Sequence, residues 1–498
     1  MQPPRAKRPI TLRTKLFYGF GSVAYGVKDQ GFSYLLLLYY NQVLHLPAKQ
    51  VGLALLFVLF VDACLDPIIG NWSDTTHSRW GRRHPFMYAT ALPVSLSYML
   101  LWDPPSSVTG SSLIYYLIGI SIVIRFFITL YEIPSSALAP ELTDNYHDRT
   151  SLLGFRSLFQ WVGGLTMAFL AFGVFLQPDA THPNGQLNPT GYAHYGWVAG
   201  GLMFTAILIS AAGTHRHIPD LKAPPPKQPF DLARVARDIV QTLSRRSLLT
   251  LLGAGLFANM AVGVAAALTY YFTFFFWEFT PNDVVVLLFS NLLSAVIALP
   301  SATLLSRRLG KKRAAVAMWS VALPLAPLPY LLRLAGWFPA NHTHALLATM
   351  FLISTIIIAL FIATGILIAS MIADVAEEGQ LSHGRRSEGL LFAANSFIQK
   401  FTSGIGIYGA SVILDLIGFP EDAQPGKVDP TVLHNLALVY VPVLVTLFIA
   451  AIAFVSAYRI DRKTHEDNLA RLAAAGSTAP APIERAENPP AHAVEVPL

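Results

Sequence analysis

Apolar runs of membrane-spanning length recur along the whole chain, and polar stretches separate them. A helix that crosses a bilayer needs about 20 mostly apolar residues. By that measure the pattern predicts twelve spans, numbered in chain order: 17–43, 51–72, 86–103, 112–134, 153–176, 195–213, 248–277, 284–305, 313–334, 344–371, 389–417 and 434–458. We therefore expect an all-α membrane protein with twelve transmembrane helices.

The spans divide into two sets of six. A polar stretch with a proline-rich start separates span 6 from span 7, and "SRWGRR" after span 2 matches "SRRLGKK" after span 8. Two six-helix bundles joined by a central loop are the architecture of the major facilitator fold. The predicted units are an N-terminal bundle over 1–213, a middle loop over 214–247, a C-terminal bundle over 248–463 and a disordered tail over 464–498.

Charged residues make up 13% of the chain, against about 25% in an average soluble domain. The loop "WDPPSSVTGSS" after span 3 has neither Lys nor Arg, whereas the loops after spans 2 and 8 are basic. Cytoplasmic loops carry the excess of Lys and Arg. We therefore expect both termini in the cytoplasm and the chain in the plasma (inner) membrane.

Several ionisable residues fall inside the predicted spans, where burial is costly and a functional role is the first hypothesis. Asp62 and Asp66 are four residues apart on span 2, so both lie on one helix face. Two such acids repel unless a cation or a proton lies between them. Structural ion pairs are the alternative, but the acids are expected to outnumber their partners. The other charges are Lys28, Asp29, Arg125, Glu132, Arg156 and Lys400.

Four stretches carry a resemblance to a known family. They are "DACLDPIIGNWSD" with the following "SRWGRRHPF", then "YEIPSSALAPELTDNYHDRTSLLGFR" and "MIADVAEEGQLSHGRRSEGLLFAANSFIQK". Together they resemble the glycoside-pentoside-hexuronide:cation symporters, the melibiose permease type of the major facilitator superfamily. The resemblance extends from "KLFYGFG" near the N-terminus to span 12.

The resemblance implies roles for particular residues. It places the cation site at Asp62, Asp66 and Thr129, with Lys400 close by. It places the substrate site at Asp29, Glu132 and Arg156, and Lys28 and Tyr25 on span 1 are further candidates. A gate motif after span 2 would comprise Asp74, Arg79, Gly81, Arg82 and Arg83. Plain cytoplasmic charge is the other interpretation of that motif.

Two departures from the family bear on function. Leu65 stands where sodium-using members have an asparagine, and leucine offers no oxygen to a metal ion, which favours a proton. Ser136 and Gly365 stand where melibiose permease has tryptophans at the sugar, although Tyr25, Tyr131 or Phe155 could supply a ring instead. A lysolipid or another amphiphile is therefore an alternative cargo.

The sequence favours a secondary symporter for a glycoside or related sugar, working by alternating access. A sensor that binds a ligand without moving it is the alternative from another class. We expect no catalytic residues, no resident metal and no cofactor beyond a coupling H⁺ or Na⁺. The expected partners are a small-molecule substrate and the lipid bilayer, with no nucleic acid, and the chain is expected to be a monomer.

Overall fold

A computed structural model describes residues 10–143, 145–180, 182–221, 246–383 and 388–458. The described chain is helical and forms twelve spans. In order they cover 12–43, Ala48–Thr75, His84–Trp102, Ser112–Leu142, 146–175, Pro189–His215, 246–276, Pro281–Leu309, 311–334, His344–His383, Glu388–Leu416 and Pro430–Ser456. Nine helices of this described part are long and apolar enough to cross a membrane by length and composition.

The spans occur where the hydropathy pattern predicts them, but several run further. Span 4 was expected to end at Pro134, yet the helix continues through Pro134 and Pro140 to Leu142. Proline is tolerated inside transmembrane helices because neighbouring groups satisfy the freed carbonyls. The extension carries Glu141 to the gate motif. Most of the predicted middle loop and the predicted tail lie outside the described residues.

The spans pack as two six-helix bundles. In the first bundle, span 1 lies against spans 5 and 6, span 3 lies against span 6, and span 4 lies against spans 2 and 3. In the second, span 7 lies against spans 11 and 12, and span 10 lies against spans 8 and 9. The bundles meet where span 2 contacts span 11, span 1 contacts span 7, and span 5 contacts span 8.

Glycines bring spans 1 and 5 into backbone contact. A Cβ added at Gly26 would lie 1.9 Å from the carbonyl oxygen of Gln160, and one at Gly163 would lie 2.7 Å from that of Val23. Small residues allow such close approach of membrane helices. The contact fixes how spans 1 and 5 are placed against each other within the first bundle.

Twelve crossings bring the start of span 1 and the end of span 12 to one end of the molecule, called here the terminal end. At the opposite end the two bundles are joined by aromatic side chains. The ring centroid of Phe172 on span 5 lies 4.8 Å from that of Tyr270 on span 7. The ring centroid of Tyr34 on span 1 lies 6.3 Å from that of Tyr270. The same end holds four π-helical turns, which widen the helix locally: Gly31–Leu35, Tyr39–Val43, Ala171–Phe175 and Phe272–Phe276.

Gln42 adds a polar clamp between the bundles at the opposite end. Its Nε2 donates to the carbonyl of Pro420 at 2.8 Å, and its Oε1 accepts from the backbone N–H of Ala423 at 3.1 Å. Tyr271 of span 7 donates to Asn41 Oδ1 at 2.7 Å. These bonds and the aromatic contacts hold the opposite end closed in this structure.

Candidate functional site

The residues expected to form the cation site lie together between spans 2, 4 and 11. Thr129 Oγ1 donates to Asp62 Oδ1 at 2.8 Å. Lys400 Nζ lies 2.8 and 2.9 Å from the two oxygens of Asp66, and 3.3 Å from Asp62 Oδ2. Asp62 is buried, whereas the Asp66 side chain is 22% exposed. The structure thus brings together the four residues that the family resemblance selected, and their roles remain predictions.

Local sequence explains how span 2 presents its acids. Asp62 and Asp66 are one helical turn apart and point the same way. Pro67 directly follows Asp66 and lies inside the helix; it has no N–H to donate to the carbonyl four residues earlier. Leu65 packs in a small apolar cluster with Ile69 and Leu130. Its side chain has no oxygen to offer to an ion.

Arg125 is the residue of this site that the sequence analysis noted but gave no role. Its Nη1 donates to Asp62 Oδ2 at 3.1 Å, and its Cζ lies 4.5 Å from the centroid of the Phe32 ring. Arg125 precedes Thr129 by one helical turn, and both reach Asp62. The four-residue spacing places both residues on one face of span 4, but it does not tell which partner that face meets.

The residues expected to bind substrate form two neighbouring groups. Arg156 Nη1 donates to Ser135 Oγ at 2.9 Å, and its Nη2 lies 3.5 Å from Glu132 Oε1. On span 1, Lys28 Nζ lies 2.7 Å from Asp29 Oδ1 and 4.0 Å from the centroid of the Tyr25 ring. The Lys28 ammonium therefore lies over the face of the Tyr25 ring in this structure.

The Arg156 group adjoins the acid pair along span 4. Glu132 lies three residues after Thr129, which donates to Asp62. The side chains of Asp29 and Glu132 are 43% and 26% exposed, while that of Lys28 is 2% exposed. Exposed carboxylate surface next to a guanidinium is suited to hydroxyl groups, which both donate and accept hydrogen bonds.

Charge in this region is balanced, which corrects one expectation. The acids were expected to outnumber their partners, but each acid lies within 3.5 Å of a basic side chain. The expectation was wrong because Arg125 turns toward Asp62 and supplies the missing positive charge. The acids are Asp29, Asp62, Asp66 and Glu132, and the bases are Lys28, Arg125, Arg156 and Lys400.

Three residues of the gate motif, Asp74, Arg82 and Arg83, make ion pairs at the terminal end around the buried Glu141. Arg83 donates to Glu141 Oε1 at 2.9 Å and to Ser73 Oγ at 2.6 Å, and it also pairs with Asp74. Arg82 lies 2.8 Å from the same Glu141 oxygen. Glu141 has no role predicted from the sequence, because it lies beyond the predicted end of span 4.

Two other members of the motif lie apart from this cluster. Arg79 is exposed, and its Cζ lies 5.5 Å from the centroid of the Trp80 ring. Gly81 has a φ of +73°, a conformation that side chains rarely adopt, and turns the chain there. The ion pairs of the motif are therefore made by Asp74, Arg82 and Arg83.

We expect Arg83→Ala to destabilise the protein. Removing one partner of a buried ion pair costs about 3–5 kcal/mol, and we expect the lower end because Arg82 still pairs with Glu141. The apparent melting temperature of the purified variant should fall by several degrees. Arg79→Ala removes an arginine from the same loop and should leave it unchanged. Equal melting temperatures for both variants would show that the cluster adds no stability.

Comparison with known proteins identifies the family and the fold. The MFS/sugar transport protein family matches residues 17–462 of the chain. The isoprimeverose transporter of Lactiplantibacillus pentosus is 24% identical, covering 92% of this chain and 90% of its own. The sodium-dependent lysophosphatidylcholine symporter 1 of Gallus gallus is also 24% identical, covering 94% of this chain and 91% of its own.

Among solved structures, the inward-open xylose transporter XylE of E. coli superimposes with a TM-score of 0.60 at 14% identity, covering 92% of this chain and 98% of its own. This likeness shows the fold, two six-helix bundles of the major facilitator type. The resemblance to cation symporters found in the sequence is confirmed by relatives that are themselves named symporters and transporters. The chain is therefore a multi-pass membrane transporter and not an enzyme, and it belongs to the MFS/sugar transport protein family.

Proposed function

We propose that the protein is a secondary symporter that moves a glycoside or related sugar together with a proton. The observation that carries the proposal is that the two sites adjoin on span 4. Glu132, which pairs with Arg156, lies three residues after Thr129, and Thr129 donates to Asp62 of the acid pair. A change of charge at one site therefore changes the electrostatic potential at the other.

The substrate site is proposed at Arg156, Glu132 and Asp29, with Lys28 and Tyr25 beside it. A sugar presents neighbouring hydroxyl groups. The two carboxylates can accept hydrogen bonds from them, and the guanidinium can donate to them in pairs. Arg156 holds Glu132 only at 3.5 Å, so a hydroxyl could enter between them with little loss. A few convergent polar groups in a mostly apolar pocket fix the orientation of a ligand.

Coupling is proposed to depend on Asp66 and Lys400. Lys400 binds both oxygens of Asp66 and neutralises it when no coupling ion is present. A proton on Asp66 would neutralise the carboxylate and release the Lys400 ammonium from it. The released ammonium could then move toward Glu132. Leu65 has no side-chain oxygen, and that favours a proton over sodium because a sodium site needs further oxygens.

Alternating access is proposed to follow from the closed opposite end. The basic loops favour a cytoplasmic terminal end, so the aromatic contacts and the Gln42 clamp would close the outer side. Opening outward would require Gln42 to leave Pro420 and Ala423 while the bundles rock about the central site. The plasma (inner) membrane is the proposed location.

A lysolipid or similar amphiphile is the second candidate cargo. One relative is named a lysophosphatidylcholine symporter, and Ser136 and Gly365 leave the site without two of the rings that would stack on a sugar. A polar headgroup could use the same Arg156–Glu132 group while its chain lies among apolar helices. A ligand sensor on the same fold would bind either cargo but would not accumulate it.

A ligand-stabilisation screen on the purified protein separates these candidates. Glycosides, uronates and lysophospholipids would each be tested at two pH values, with sodium chloride or choline chloride. We expect a glycoside to raise the apparent melting temperature and then to accumulate in vesicles. Stabilisation by lysophospholipids alone would favour the amphiphile carrier. Binding of a sugar with no accumulation under any ion gradient would favour the sensor.

A further inference from the structure

Arg125 lies inside the proposed cation site. It reaches Asp62 from span 4, as Thr129 does, and Phe32 of span 1 covers its guanidinium. The whole residue is 6% exposed. The guanidinium therefore rests in a fixed position, held by an acid of span 2 and a ring of span 1.

The oxygens of the acid pair are all occupied by donors. Asp62 Oδ1 accepts from Thr129, and Asp62 Oδ2 accepts from Arg125 with Lys400 Nζ 3.3 Å away. Both oxygens of Asp66 accept from Lys400. Asp62 therefore lies within 3.3 Å of two basic side chains, Arg125 and Lys400.

These basic groups differ in how easily they can leave. Lys400 is a flexible ammonium on a second bundle, so motion between the bundles can move it. Arg125 shares its bundle with Asp62, and an arginine guanidinium keeps its charge in proteins. An alkali ion that bound Asp62 would lie beside a permanent positive charge in a region of low dielectric.

We infer that Arg125 is a tethered cation that takes the place of sodium at Asp62 and so makes this chain insensitive to sodium. The inference rests on the proposed function, because that proposal assigns coupling to the acid pair. Its consequence concerns binding alone. Removing the guanidinium should create a sodium site from the oxygens of Asp62, Asp66 and Thr129.

The test is the thermal stability of the purified full-length protein in sodium chloride against choline chloride at equal ionic strength. The wild type and Arg125→Lys, which keeps the charge, should show no sodium-specific shift. Arg125→Gln should gain a saturable rise of roughly 3 °C or more, because a ligand that binds only the folded state stabilises it.

A sodium-specific shift in the wild type would overturn the inference even if no variant folds. A folded Arg125→Gln without the shift would overturn it as well, and so would an equal shift in Arg125→Lys. The assay needs neither a substrate nor a gradient. A failure of the proposed symport would be seen in vesicle uptake and not in this measurement.

Discussion

Arg156→Ala is expected to abolish substrate binding while the protein still folds. Arg156 offers the substrate a planar set of donors, and each hydrogen bond to a charged group contributes about 1.5–3 kcal/mol. Losing two such bonds should weaken affinity by roughly 100-fold or more. Calorimetry or ligand-induced stabilisation with the glycoside found in the screen would measure the loss.

Two further variants make this result specific. Arg156→Lys keeps the charge but loses the fork of donors, so we expect weak but detectable binding. Arg333→Ala removes an arginine that bonds Pro339 and Asn341 near the opposite end, and it should bind normally. A folded Arg156→Ala with the affinity of the wild type would remove Arg156 from the substrate site.

Asp66→Asn is expected to bind and exchange substrate but to lose uphill accumulation. The amide has the shape of the acid but cannot take up and release a proton during the transport cycle. Lys400 also loses its charged partner at 2.8 Å. Accumulation above the outside concentration should be lost, while counterflow exchange should stay within a few-fold of the wild type.

Asp415→Asn is the matched control for this variant. Asp415 lies on span 11 like Lys400, pairs with Lys49 at 3.3 Å and is 49% exposed. The same change of acid to amide there should leave accumulation intact. Normal accumulation by Asp66→Asn would place the coupling step at another residue, and Asp62 or Glu132 would be the next candidates.

The fold was predictable because hydropathy and loop charge are properties of local sequence. Twelve apolar runs predict twelve spans, and the two-fold placement of "SRWGRR" and "SRRLGKK" predicts two bundles. Helix ends were less predictable. Span 4 passes through Pro134 because its neighbours in the bundle, not its own sequence, determine where the helix stops.

Part of the site was predictable for the same reason. The four-residue spacing of Asp62 and Asp66 fixes their common face, and the family resemblance selected Thr129 and Lys400. The pairing of Arg125 with Asp62 was not predictable, because it depends on how spans 2 and 4 are rotated against each other. Glu141 was missed since it lies on the extension of span 4 beyond Pro134.

The pairing of the span 2 acids with basic side chains changes what the coupling ion must do. A pair of unpartnered acids would need an ion in order to be stable in the membrane. Here Arg125 and Lys400 neutralise Asp62 and Asp66 without one. The empty carrier can therefore be stable, and the coupling ion is expected to act by displacing Lys400 from Asp66.

A proton gradient is proposed to drive accumulation of the cargo. The most direct measurement is uptake of the identified glycoside into vesicles that contain the purified protein. One set of vesicles receives an imposed pH gradient without sodium, and the other receives a sodium gradient without a pH gradient. We predict accumulation above equilibrium in the first set alone. Accumulation driven by the sodium gradient alone would show that sodium, and not a proton, is the coupling ion.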